Sequence, residues 1–591
     1  MKKLITLLLA LVMLLSMFAG CTQTGNNQSK PDAPGSSAEA SGAEDASKPD
    51  DGPMAAPSGI PTIIKETPDN MEWMYDTTPI EFTLYYNEPT NDPWSWEDAE
   101  VRRYITERTG VSLKYEFAPD NEGTRLNLML AGGEKLPDYI ARVWGTAASM
   151  KEMIEGEYIM CMEDLINEHC PLMWKVLGDA TPYLTRWDDG KMWYLPWLCT
   201  PSYTDYGSLN GYIMARTDIL EELGENYKSV RTTGQLKDVL ARFMENRDNY
   251  PEVVYPLYLS IAPALSGLFG GGDFGTVWYD KANGNCLYWF ESDAGRDTLM
   301  FFNELYRDGY INPECFVTSD DYISTLGAGK VFYAMNDNVW QYSSANGALA
   351  ENVEGARLSN VYPITSDGNM TWRKTIGFNG GSNLPVISIT ADCSNPGRAV
   401  KFLEYLATEE GQLTVNNGVY GKDWELKTDD AGRPYPMPVG EALEASLTGF
   451  EALGKLGIYD YAHFWLVLDG NYDVLTTYWQ SLDPDALPEE IRESRSYWFD
   501  NCPEYDARGL SSMVTVPKGS DLAVLQNSLE EIWSNTLSKI VTASSADEAQ
   551  TIYKSLLSRL DAAGKGDYLS QMYDKTVELE NGLIDYGVIY K

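Results

Sequence analysis

Histidine is nearly missing from this chain: 591 residues contain two, His169 and His463, far apart and outside any HExxH or HxH spacing. This scarcity and spacing argue against a histidine-built zinc site and a His-dependent catalytic triad. Positive charge is also scarce. Lys and Arg number 45 against 87 Asp and Glu, a formal net charge of −42, which repels phosphate backbones and anionic lipid surfaces. Nucleic acid is thereby excluded as a partner. The eight cysteines show no CxxC pair, and the seven beyond Cys21 (Cys161, Cys170, Cys199, Cys286, Cys315, Cys393 and Cys502) are odd in number, so neither a zinc ribbon nor a complete disulfide framework is indicated. They read as buried thiols, with one bridge left open, Cys161 and Cys170 being the nearest pair. No short period repeats, which excludes a solenoid or propeller. What the chain does have is apolar and flat-faced. Hydrophobic residues make up 43% and aromatics 12%, including 17 Trp and 38 Tyr, enough to bury a large core and to handle planar ligand faces.

Lys2 and Lys3 precede an apolar stretch, Leu4 to Phe18, too short for a spanning helix and built like an export signal. It ends in Phe18-Ala19-Gly20-Cys21, which resembles a bacterial lipobox and implies a lipidated Cys21 as the first mature residue. From Thr22 to Gly59 the chain is dominated by Ser, Ala, Gly, Pro, Asp and Asn, without an aromatic between Phe18 and Trp73. Such a coil of about 38 residues reaches roughly 31–37 Å, enough to hold a folded body clear of a membrane.

The folded part opens with alternating β-formers at Ile80–Tyr86, followed by a loop carrying Asn87, Trp94 and Trp96. Val101, Tyr104 and Ile105 then recur at helical spacing before Gly110. Val111–Phe117 alternates as a second strand. Thr124 is placed to cap a helix through Leu126, Met129 and Leu130 that stops at Gly132-Gly133, before a short strand at Tyr139–Ala141. This β-α-β-α-β order predicts a partly parallel sheet with helices on its faces. Further helices are expected after Thr233, Ser292, Asn395-Pro396 and the capping box Ser545-Ala-Asp-Glu548, giving an α/β chain with a helical C-terminal part.

Local motifs in one order carry a resemblance. Leu126–Ile140 with Pro137-Asp138, Glu157–Leu165, Asp189-Gly190-Lys191-Met192-Trp193-Tyr194-Leu195-Pro196, Ile213–Leu220, Leu305–Glu314, Gly329–Asn336 and Asn395–Leu403 are together similar to the extracellular solute-binding lipoproteins of bacterial ABC importers, in the large subgroup serving oligosaccharides. The resemblance implies a periplasmic-binding-protein-like clamshell of two α/β lobes joined by crossing strands. The expected map is a signal peptide at 1–20, lipidated cysteine and linker at 21–60, lobe 1 at 61–203, lobe 2 at 204–385, a return to lobe 1 at 386–440, and lobe 2 with C-terminal helices at 441–591. Crossings are placed near Trp197–Tyr203, near Ile376–Pro385 and near residue 440. Some relatives carry an acidic calcium loop where this chain has Asn246-Arg-Asp248-Asn249; no metal or cofactor is expected.

A sugar presents an apolar ring face and a rim of hydroxyls, so its site needs aromatic planes and hydrogen-bonding Asp, Asn or Arg. Asn87, Trp94 and Trp96 follow the first strand, at the edge that opens to a cleft in α/β sheets. Trp144 follows the third. Trp197 and Tyr203 bracket the first crossing, and Asn336 and Trp340 belong to a segment similar to one whose aromatic stacks on sugar in the family. Trp278, Trp372 and Trp465 are weaker candidates, because 17 tryptophans must also supply core. Gly270–Gly275 fits GxGxxG but is followed by Thr-Val-Trp-Tyr rather than a helix, so it reads as a cleft loop, not a dinucleotide site. The paired acids Asp188-Asp189 and Glu409-Glu410 read as solvated faces. The expectation is a monomeric, non-enzymatic receptor, lipid-anchored at the outer face of the cytoplasmic membrane, that hands an oligosaccharide to permease subunits. A surface glycosidase, or a peptide or signalling receptor without transport, are the competing readings.

Overall fold

A computed structural model describes residues 53–64, 67–89, 98–119, 123–144, 147–178, 180–187, 189–196, 213–271, 275–316, 322–335, 342–370, 372, 385–448, 450–458, 475, 478–482, 489–501, 507–514, 516 and 520–585. All of them belong to the unit Gly52–Lys591.

The predicted alternation is present. Strands β1 (Ile80–Tyr86), β2 (Val111–Phe117) and β3 (Tyr139–Trp144) are separated by helices Glu100–Thr109 and Thr124–Gly132. Gly110 closes the first helix in the left-handed conformation, φ +73°, where a Cβ would sit 2.1 Å from the Thr77 carbonyl oxygen; only glycine fits there. Thr124 does not cap the second helix. That position belongs to Gly123, and Thr124 is the first helical residue. Likewise the capping box of helix Thr233–Glu245 is built by Thr232 with Gln235.

The first sheet runs β2-β1-β3-β11-β4, with β4 at Leu195–Pro196 and β11 at Pro385–Ile389. β1 is parallel to β2 and β3, and β11 runs antiparallel to both β3 and β4. The second sheet is assembled from β5 (Ile213–Arg216), β6 (Tyr255–Leu259), β9 (Val331–Met335) and β10 (Leu358–Asn360) in the order β10-β5-β9-β6. Two hairpins, β7 (Val277–Asp280) with β8 (Asn285–Tyr288) and β12 (Trp424–Thr428) with β13 (Pro434–Pro438), complete the strands.

Both faces of the first sheet are covered, as a parallel sheet requires. Phe82, Leu84, Tyr86, Tyr139 and Ala141 pack with Phe402 and Leu403, while Tyr85, Ile140 and Val143 pack with Leu126, Met129 and Met150. The second sheet has its own core, to which the long helices Asp521–Val541, Ala546–Ala562 and Lys565–Asp585 contribute Leu529, Ile540, Leu556, Leu560 and Met572. Among the described residues no helix is long and apolar enough to cross a membrane.

The chain returns to the second core later than residue 440. Val101 N–H donates to the Gly457 carbonyl at 3.2 Å, and Leu475 packs on Leu413 and Trp424, so this stretch rests on elements beside the first sheet. Helix Glu489–Asn501 instead serves the second, its Trp498 donating to Val361 O at 2.9 Å. A Cys161–Cys170 bridge is also ruled out. The two cysteines flank the eight-residue helix Met162–His169, about 12 Å of rise, beyond the roughly 7 Å a disulfide spans between Cα atoms.

Candidate functional site

Strand direction defines two edges. β1, β2, β3 and β4 end at the same edge of the first sheet, where β11 begins; β6, β9 and β10 end at the edge of the second where β5 begins. Residues 197–212 connect the end of β4 to the start of β5, and 361–384 connect the end of β10 to the start of β11. Both links thus leave and enter at carboxyl edges, the place where open α/β sheets bind ligands.

At the first edge stand Asn87 and Trp144. Asn87 N–H donates to Ala141 O at 3.0 Å, which fixes its backbone against the end of β3. Its side-chain Oδ1 is buried without a hydrogen-bond partner among the described residues. The neighbour on one side is Gly123, where a Cβ would sit 3.8 Å from Asn87 Nδ2. Trp144 is 50% exposed, the one tryptophan among the described residues with a freely accessible ring. The exposed Trp144 indole offers the apolar plane on which a sugar ring stacks, and at the same edge the Asn87 oxygen is a hydrogen-bond acceptor without a partner among the described residues.

Sequence reasoning missed Arg142 and its partner Glu88 at the first edge and Asn360 at the second. Arg142 sits within the apolar strand at 8% exposure and grips Glu88 through Nε at 3.0 Å and Nη2 at 2.8–2.9 Å. Its backbone is left-handed, φ +64°, a conformation costing a non-glycine residue about 1–2 kcal/mol. Arg142 is the extra residue of a β-bulge: β11 pairs Ile387 with Ala141 and Val386 with Val143, leaving Arg142 unmatched. The only sequence signal is a charged residue in the run Tyr-Ile-Ala-Arg-Val-Trp. At the second edge Asn360 ends β10 at 2% exposure, its Oδ1 also without a partner among the described residues.

The other expected site residues divide in two. Trp94, Trp96, Trp197, Tyr203, Asn336 and Trp340 lie outside the described residues, as do Cys21, His463 and Trp465. Trp278 and Trp372 are corrections. Both belong to the core of the second sheet, at 3% and 0% exposure. Trp372 donates from Nε1 to Ile364 O at 2.9 Å and meets Trp498 edge-on at 5.2 Å, and Gly267 is kept bare to admit its ring. Side chains so enclosed are built into the second core.

The remaining motifs resolve into structure. Gly270, at φ +98°, closes the 3-10 segment Pro263–Phe269, and a Cβ on Gly271 would fall 2.1 Å from Ser266 Oγ. Glu409 and Glu410 are not solvated. Glu409 accepts from the amides of Ile63 and Ile64, and Glu410 pairs with Arg108 at 2.7 Å. Glu409, together with Glu404, which accepts from Trp73 N–H at 2.8 Å, straps the N-terminal segment onto the helices Pro396–Ala407 and Glu409–Asn417, while Glu410 ties in helix Glu100–Thr109. Burial pushes the Glu404 carboxyl up to about 7, against the opposing hydrogen bonds from the Trp73 and Glu72 amides. In the loop compared with a calcium site, Arg247 reaches Val254 O at 3.4 Å. Among the described residues no group of three or more His, Cys, Asp or Glu is arranged to hold a metal.

Residues 100–420 match the family model described as bacterial extracellular solute-binding protein. Lipoprotein LipO of Bacillus subtilis is 23% identical over 389 residues, 64% of this chain and 73% of LipO. The fructooligosaccharide ABC transporter substrate-binding protein FusA of Streptococcus pneumoniae is 22% identical over 228 residues, 36% of this chain and 42% of that relative. The solved structure of an FusA EF-hand mutant in complex with fructo-nystose superposes with a TM-score of 0.61 at 17% identity, covering 85% of this chain and 100% of that one. At such identity the likeness establishes the periplasmic-binding-protein-like α/β fold.

Proposed function

Because the chain belongs to the bacterial extracellular solute-binding proteins, we propose that it is a lipid-anchored receptor that captures an oligosaccharide and delivers it to the membrane subunits of an ABC importer. The observation carrying this reading is Trp144, half exposed at the carboxyl edge of the first sheet, the edge at which Asn87 also stands. FusA, named for fructooligosaccharide, supports the ligand class, and the LipO relationship supports the anchor at Cys21.

In this reading the two sheets organise two lobes, joined through 197–212, 361–384 and a third passage between Leu482 and Glu489 in place of the one expected near residue 440. Asn87, Trp94, Trp96 and Trp144 serve the first lobe, Asn336 and Trp340 the second, and Trp197 and Tyr203 the passage between. Asn360 joins them from the second edge. The chemistry is capture without bond cleavage: ligand gains contacts to both lobes only when they close, so binding shifts the population towards a closed form that the permease reads. A net charge of −42 favours a neutral sugar over an oligouronate.

The test is a thermal-shift screen of the protein with kestose, nystose, other neutral oligosaccharides and an oligouronate. A ligand at 100 times its dissociation constant adds about 2.7 kcal/mol, and the reading expects at least one neutral oligosaccharide to raise the midpoint. No shift across the panel, or ligand recovered as cleaved products, contradicts it.

A further inference from the structure

Trp144 is aimed by a bulge two residues before it. Along β3, Ile140 packs with Leu126 and Met129 on one face of the sheet, and Ala141 with Phe402 on the other. Regular alternation would put Val143 on the Ala141 face and Trp144 on the Ile140 face, into the Leu126 core. Instead Val143 is on the Ile140 face. The unmatched, left-handed Arg142 consumes one residue of register and reverses the parity of Val143 and Trp144, leaving Trp144 exposed at the edge. Of the described residues, only Arg142 and Glu157 combine a side chain with positive φ. The strained residue is clamped by Glu88, next to Asn87 in the chain, through both its Nε and Nη2.

We infer that Arg142 and Glu88 are the positioning residues of the carbohydrate site. The ion pair holds the bulge, and the bulge sets which way the indole faces. This rests on the proposed sugar-binding reading for its purpose, but its geometry is testable without ligand.

The experiment labels the 17 tryptophans with 5-fluorotryptophan, assigns the Trp144 fluorine resonance with Trp144→Phe, and compares wild type with Glu88→Ala and Arg142→Lys. Both variants are expected to displace or split that resonance and to weaken binding of the tightest oligosaccharide at least tenfold. In a Trp144→Ala background, Glu88→Ala is expected to change affinity less than twofold, since the clamp acts through the indole. An unmoved Trp144 resonance, or affinity losses that multiply in the double variant, overturns the inference even if the melting temperature falls. Should no oligosaccharide bind wild type, the carbohydrate reading fails by itself, and the fluorine resonance alone decides the positioning claim. Glu88→Gln replaces Glu88→Ala if the latter does not fold.

Discussion

The Asp138 carboxylate takes both the amide and the hydroxyl of Thr83 at 2.7 Å through Oδ2, and the amide and hydroxyl of Ser394 at 2.7 and 2.9 Å through Oδ1. One side chain thus ties β1, the start of β3 and the turn before helix Pro396–Ala407. The acid of the Pro137-Asp138 motif is a joint of the first sheet. Burial raises its affinity for a proton, but the four hydrogen bonds outweigh this and hold the carboxyl below its ordinary value.

Asp138→Asn replaces an acceptor with a donor that faces N–H groups, and we expect it to cost about 2–4 kcal/mol at neutral pH. Because the folded value is depressed, the stabilisation is present above the unfolded value and lost as pH falls through the folded one. Urea unfolding should therefore show the gap between variant and wild type narrowing below pH 3.8, the ordinary value; a gap independent of pH contradicts the assignment.

Glu404 has the opposite sign. Its folded value of about 7 lies above the ordinary 4.5, so between these the native state keeps a proton the unfolded chain has released. Stability falls as pH rises through that window, by up to about 3 kcal/mol. Glu404→Gln removes this slope, and the variant should gain on wild type between pH 5 and pH 8. Parallel curves would place the protonation elsewhere.

Trp144→Ala should leave the unfolding midpoint nearly unchanged, as surface truncations do within about 0.5 kcal/mol, while weakening oligosaccharide binding about 10- to 100-fold, roughly 1.4–2.8 kcal/mol. Calorimetric titration separates the two effects.

Trp372→Ala should do the reverse. Emptying a wholly buried indole site costs about 3–5 kcal/mol, and the affinity of the molecules that remain folded should match wild type. A selective loss of affinity would return Trp372 to the binding surface.

Local signals are legible where one rule dominates. The alternation of Ile80–Tyr86, the Gly110 stop and the Asn395-Pro396 start each have a single physical cause, and each element stands where the pattern puts it. Trp278 and Trp372 illustrate the opposite case. An indole serves a core and a sugar platform equally well, and only the neighbours brought by distant segments, such as Trp498, distinguish them. Arg142 is invisible in the sequence because a bulge is a mismatch between two strands about 240 residues apart in the chain, so β3 alone does not contain it. Glu409 looks solvated in the sequence because the segment that covers it, around Ile63, carries no helical or strand pattern, and Glu410 because its partner Arg108 lies 302 residues away in the chain.

The central claim is capture by closure. Small-angle scattering of the protein, alone and saturated with the oligosaccharide that raises its melting temperature most, tests it directly, with the sugar recovered afterwards for analysis. The account predicts a smaller radius of gyration in the saturated sample and intact sugar. An unchanged radius at saturation, or shortened sugar, would contradict it.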